Sequence, residues 1–271
     1  MKIRRYPHYR HKPLYEVTLS HHLVSIVVAI GIAISLTAMV IHFVHPHNAF
    51  DISQVSFAVI ARGTLDTLYR MTLAFILALV AAVPLALLIA STPRLQSILL
   101  PIADILQSVP VLAFFPVVVA FFVARNAFEL AAVFVIFLSM LWNIVFPVIG
   151  GLQTIPDDIK SAAIVFNVRG WRKFWYITLP AILPFIVTGS LLAWAQGWTI
   201  VIVAEVLHTY IPHGTASQDL LGLGSLLVDS NAQAKNGVFL AALTAMILLV
   251  TLLNLAVWQP LLHLSQRFRF D

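Results

Sequence analysis

The chain has 271 residues, of which 61% are hydrophobic and only 10% charged, with a formal net charge of +5 and no cysteine. Soluble domains are about 45–50% apolar and about 25% charged, so this is the composition of a polytopic membrane protein. It excludes a disulfide framework, a thiolate metal site and room for a soluble catalytic domain. Nothing in it points to nucleic acid. The length accommodates about six spanning helices of about 20 residues with short loops, an all-α fold.

In chain order, residues 1–21 form a basic tail carrying Lys2, Arg4, Arg5, Arg10 and Lys12, expected to meet anionic headgroups. Residues 22–44 are a first spanning helix, read as retained because no small-residue cleavage site follows. Residues 45–63 form an outer segment, and residues 64–262 the core of five further spans. The second span covers about 64–90, with a kink at Pro84. The third ends near Val123 and is punctuated by Ser108-Val109-Pro110 and Pro116. The fourth covers about 128–150, the fifth about 181–207 and the sixth about 236–262. Residues 208–235 form an outer loop and 263–271 a second tail. Twelve of the sixteen lysines and arginines then fall on one side, which predicts both termini inside. No strong internal repeat is present.

Residues 157–184 interrupt the apolar pattern. Ile159, Ala162, Ala163 and Phe166 lie at i, i+3, i+4 and i+7, one stripe on a helix of about three turns. Pro156, Asp157 and Asp158 suit its start and Asn167 its end. A second short helix follows Gly170, with Arg169, Arg172 and Lys173 supplying charge, and ends at Pro180. The pair reads as a docking knob for a partner, able to convert a partner's closure into rotation of the adjoining spans. One chain encloses no pathway, so two copies or paralogues are expected.

Polar groups within spans are candidates for a path. Gln196 lies between Trp194 and Trp198, and Asn143 beside Trp142. Both amides also suit helix-to-helix bonding. Glu205 either gates the outer mouth or contacts a partner, or else pairs with Arg70 or caps a helix of the outer loop. Asp66 and Arg70, at i and i+4, predict an intrahelical pair. His42, His45, His47, His208 and His213 fall outside, but no metal-ligand spacing accompanies them, so no metal site is assigned. Gly222-Leu223-Gly224 lacks phosphate-loop spacing and reads as a turn.

The docking stretch resembles the coupling loop of type I ATP-binding-cassette importer permeases, whose pattern is EAA, three residues, G, then I-x-L-P. Here it reads Ser161-Ala162-Ala163, Asn167 and Ile177-Thr178-Leu179-Pro180, with serine and asparagine replacing the glutamate and glycine. Over about residues 55–270, Thr67-Leu68, Arg70, Ser108-Val109-Pro110, Val203-Ala204-Glu205 and Gly222-Leu223-Gly224 resemble the nitrate, sulfonate, taurine and bicarbonate branch. Leu141-Trp142-Asn143 and Trp258-Gln259-Pro260-Leu261 resemble one half of its duplicated anion permeases.

The resemblance implies a non-catalytic subunit in a prokaryotic cytoplasmic (inner) membrane. It would be coupled through Asp157, Ser161, Ala162, Ala163, Phe166, Asn167, Gly170, Leu179 and Pro180 to two separate ATPases that bind the ATP and magnesium. A second permease and an extracytoplasmic binding protein complete the assembly. The candidate path comprises Ser108, Trp142, Asn143, Trp194, Gln196, Trp198 and Glu205. The competing readings are an ion-coupled secondary transporter, a membrane-embedded enzyme and a metal-binding membrane protein.

Overall fold

The structure is a computed structural model that describes residues 31, 55–211, 213–215 and 218–268. It divides into two units, residues 1–49 and 50–271, and every element below belongs to the second. The expected basic tail and, but for residue 31, the expected first spanning helix lie outside the described residues, as do His42, His45, His47 and Arg269.

The described chain is helical: α1 (Phe57–Ile89), α2 (Pro93–Ser108), α3 (Val111–Val123), α4 (Phe128–Gln153), α5 (Asp157–Val165), α6 (Gly170–Lys173), α7 (Leu179–Ala204), α8 (Leu223–Ala232), α9 (Asn236–Leu253) and α10 (Gln259–Ser265). Among the described residues, four helices are long and apolar enough to cross a membrane, Phe57–Ile89, Phe128–Gln153, Gly170–Ala204 and Asn236–Ser265, or five if the bent α2–α3 pair is one span.

Small residues set the core. Met71, Ala74, Ala78, Ala82 and Ala86 recur along one face of α1 and are fully buried. On α7, Gly189, Ala193 and Gly197 repeat at four-residue spacing, the pattern that lets helix backbones approach when lipid offers no hydrophobic drive to association. A Cβ on Gly189 would stand 2.8 Å from the Asn143 carbonyl oxygen and 3.1 Å from the Ile144 Cα. The α4 backbone is therefore pressed directly onto α7. With α1 on another side, α4 is the most enclosed of the spans, whereas α9 and α10 bury few residues completely.

Three expectations change. The third span is not one punctuated helix: α2 and α3 meet at 83°. Pro110 cannot donate a backbone hydrogen bond and forces Val109 into extended geometry (φ −76°, ψ 123°), which stops α2 at Ser108. The outer segment gives up residues 57–63 to α1. Pro180 does not end the second short helix. The turn Phe174–Thr178 widens to a π-helix, and the chain runs as one 35-residue helix from Gly170 to Ala204. A π-turn also precedes Pro260, at Asn254–Trp258. Widening the turn relieves the clash that a proline ring makes with the carbonyl four residues back.

Because Gly189 faces backbone, which cannot move aside like a side chain, Gly189→Leu is expected to destabilise the bundle by about 1–3 kcal/mol. Thermal unfolding of the detergent-solubilised chain checks this, and an unchanged midpoint would contradict the α4–α7 contact.

Candidate functional site

At the end of the bundle where α1 and α4 finish, α5 lies as a short peripheral helix. Pro156 precedes it, Asp157 and Asp158 occupy its first turn, and Lys160 Nζ sits 2.9 Å from Asp157 Oδ1. It ends in a Schellman motif. The Val168 amide donates to the Ala163 carbonyl (2.8 Å) and the Asn167 amide to the Ile164 carbonyl (3.0 Å), with Asn167 left-handed at φ 51°. Asparagine thus performs the turn for which the resembling pattern has glycine, and Gly170 takes a second left-handed position at φ 56°.

The predicted stripe does not point outward as a unit. Ala163 is buried and Ile159 half-buried, while Ser161, Ala162 and Phe166 are exposed. Ala163 therefore seats α5 on the chain's own body. The apolar edge left free is Ile164, Val165 and Phe166, each at least 73% exposed. Leu179 and Pro180 are half-buried in the first turn of α7, within a span and not on the knob.

The candidate path divides. Trp142, Asn143 and Gln196 line one cavity of about 230 Å³ with Gln107, Ser139 and Pro110, at the α2–α3 elbow. Asn143 Nδ2 donates to the Ser139 carbonyl at 3.0 Å. Every polar side chain on its wall is neutral. Ser108 is exposed beside it, its hydroxyl donating to the Asp104 carbonyl (2.8 Å).

Trp194 and Trp198 belong elsewhere. Residues two apart on a helix face away from each other, whereas four apart share a face. The indoles are accordingly buried opposite Gln196, with Trp194 edge-on to Phe75 (5.6 Å between ring centres) and tilted on Trp258 (5.8 Å). Neither indole nitrogen has a hydrogen-bond partner among the described residues. Gln107 and Ser139 escaped the sequence reading; Ser139 and Asn143, at i and i+4, were the available signal.

Glu205 lies at the opposite end from α5, immediately after α7, and has no solvent exposure. Its Oε1 accepts from Arg70 Nη1 (2.8 Å) and Thr67 Oγ1 (2.7 Å), and its Oε2 from the Gly224 amide (2.7 Å). Arg70 also grips Glu129 through Nε (2.6 Å) and Nη2 (2.8 Å) and donates to the Leu221 carbonyl (2.9 Å). The pair with Arg70 is the structural alternative read for Glu205. The intrahelical Asp66–Arg70 pair is not formed, because Arg70 turns into the bundle towards two other carboxylates. Gly222-Leu223-Gly224 is the start of α8, where the first-turn amides of a helix lack partners and suit an anion. A side chain at Gly222 would collide with the Glu205 carboxylate. Glu129 was missed and Thr67 was named without this role, although Thr67 and Arg70, at i and i+3, share a face.

Between Glu205 and α8, Asp219 holds His208 through both oxygens: Oδ1 accepts from the His208 amide (2.9 Å) and Oδ2 lies 2.6 Å from Nδ1. The outer loop is therefore structured, with α8 inserting Leu223 and Leu227 against Ile60 and Ala242.

Long apolar helices, one elbowed pair, a neutral polar cavity and a short peripheral helix make this an all-helical polytopic membrane protein. Residues 82–269 match the family described as binding-protein-dependent transport system inner membrane component, and the chain belongs to that family. It is 32% identical over 159 residues to the nitrate import permease protein NrtB of Leptolyngbya laminosa, covering 59% of this chain and 56% of the relative. It is 29% identical over 170 residues to the bicarbonate transport system permease protein CmpB of Synechocystis sp., covering 63% and 56%. It is 24% identical over 191 residues to the taurine transport system permease protein TauC of Escherichia coli, covering 70% and 65%. The chain spans a little over half the length of the NrtB and CmpB relatives it matches.

Arg70→Met would leave the Glu205 carboxylate buried and unpaired, a loss of about 3–5 kcal/mol. The double variant Arg70→Met/Glu205→Leu should lose less than the two single variants summed, read from unfolding in detergent; strict additivity would deny the coupling.

Asp229, outside the spans on α8, has its carboxyl pushed up from 3.8 by burial first and then by the charge of Asp219, with His208 opposing. A carboxyl raised on folding supports the fold below 3.8 and ceases to do so as pH climbs through the raised value. Asp229→Asn should therefore raise the unfolding midpoint at neutral pH and reduce the gain on acidification, as thermal scans across pH would record.

Proposed function

We propose that this chain is the permease subunit of an ATP-driven importer, forming with a second identical or paralogous permease the path for a small anion or organic solute of the nitrate, bicarbonate or sulfonate kind. Two cassette ATPases hold the ATP and magnesium and dock on α5, and an extracytoplasmic protein delivers the solute. The chain itself performs no catalysis and lies in a prokaryotic inner membrane with both termini inside.

Family membership and the activities named for the relatives support this reading. The observation that carries it for this chain is the free apolar edge Ile164-Val165-Phe166 on a short helix that follows one span and precedes another in the chain. Closure of an ATPase pair beneath that helix would push on α4 and α7 together, which supplies a route from ATP to rigid-body motion of the path. The cavity at the α2–α3 elbow supports passage. Its amides can hydrogen-bond an oxyanion, and the absence of a cation on its wall keeps the ion from being held too tightly to leave.

A charge at Phe166 tests the docking role better than one at Ala163, which would disturb the chain's own packing. Phe166→Glu should remove an aromatic anchor worth about 2 kcal/mol or more. The ATPase should then fail to copurify, and ATP-driven uptake in proteoliposomes should fall by about thirtyfold while membrane insertion is unchanged. Uptake at the parental rate would sink the proposal.

A further inference from the structure

Behind α5 lies a cleft of about 240 Å³, separate from the free docking edge and from the path cavity. Its polar wall consists of Lys160 on α5, Lys173 and Thr178 from the start of the long α6–α7 helix, and Ser91 just after α1. No carboxylate lines it. Lys160 is pinned by Asp157, whose side chain is 93% exposed, so solvent screens that pair. Lys173 makes no ion pair among the described residues. Thr178 is nine-tenths buried, and its hydroxyl has no hydrogen bond among the described residues. An unpaired ammonium, a second one held nearby and an orphan hydroxyl around an acid-free cleft are complementary to a phosphate-type oxyanion.

The same helix indicates where that oxyanion comes from. A helix of 35 residues is about 52 Å long, and the hydrocarbon core is about 30 Å thick, so its first turns reach the headgroup layer. Trp171, Trp175 and Tyr176 are exposed there, beside exposed Arg169 and Arg172. Exposed aromatic rings among cations at a span end mark headgroup depth. We propose that this cleft binds the phosphate of an anionic phospholipid headgroup. The headgroup joins Lys160 of α5 to Lys173 of the span, so a lipid fastens the short helix to the bundle. The inference stands on the cleft alone and does not depend on the transport reading.

The test is native mass spectrometry of the full chain in detergent with added phosphatidylglycerol or phosphatidylcholine, alongside thermal unfolding with inorganic phosphate. The parent should retain phosphatidylglycerol over phosphatidylcholine. Lys160→Gln and Lys173→Gln should each reduce that retention about fivefold, the effect of one basic residue near an anionic surface. Lys173→Arg should retain the lipid, Thr178→Val should weaken it, and Lys235→Gln, on a residue preceding α9, should leave it unchanged. Parental retention by the folded Lys160→Gln/Lys173→Gln double variant would overturn the site. Stabilisation by inorganic phosphate with no preference between the two lipids would overturn the headgroup as its source.

Discussion

A carboxylate with no access to water must be both neutralised and hydrogen-bonded, and Glu205 obtains everything it needs from two other parts of the chain. Arg70 and Thr67 come from α1, and the Gly224 amide from the start of α8. Arg70 then extends the set to Glu129 at the start of α4. The consequence is positional. The first half of α1, the start of α4, the residue after α7 and the start of α8 share one charged knot, and each can shift only if the others supply a substitute. Such knots are weak evidence for net stability, since well-packed apolar residues serve as well. Their value lies in fixing which ends belong together. Here that registration meets the glycine-lined contact of α4 with α7, which fixes the helices along their length.

The hydropathy pattern made the helical class and most spans legible, because runs of about 20 apolar residues have few alternatives in a chain this poor in charge. The start and end of α5 were also legible, from Pro156, two aspartates and Asn167, since capping chemistry is local. What the pattern could not supply was direction. Ile159, Ala162, Ala163 and Phe166 form a stripe in either orientation, and only packing decides that Ala163 faces in and Phe166 out. Trp194, Gln196 and Trp198 adjoin in sequence yet line opposite faces, an outcome helical geometry alone already implied. Arg70 illustrates the deeper limit. Asp66 was its nearest acid along the helix, whereas its partners come from positions 129 and 205, and such long-range choices leave no periodic trace.

Proline had contrasting outcomes within one chain. At Pro110 the residue before it goes extended and the helix breaks by 83°. At Pro180 and Pro260 a widened turn just upstream absorbs the ring and the helix continues. Sequence reading that treats every proline as a stop divides one long helix into a docking element and a span. Continuity alters what residues 170–178 are: the first turns of a span, reaching towards α5, and the wall of the cleft beneath it.

That continuity makes the helix a lever arm. Over a length of about 52 Å, a tilt of about 10° about one end sweeps the other through about 9 Å, more than the width of a small anion. A tilt about the Gly170 end would therefore be felt most at the Glu205 end, where the charged knot would have to yield, with no relay of side chains between them. The π-turn at Phe174–Thr178 and the proline at 184 both interrupt the regular hydrogen-bond ladder of that arm, so its stiffness is set near the end that adjoins α5.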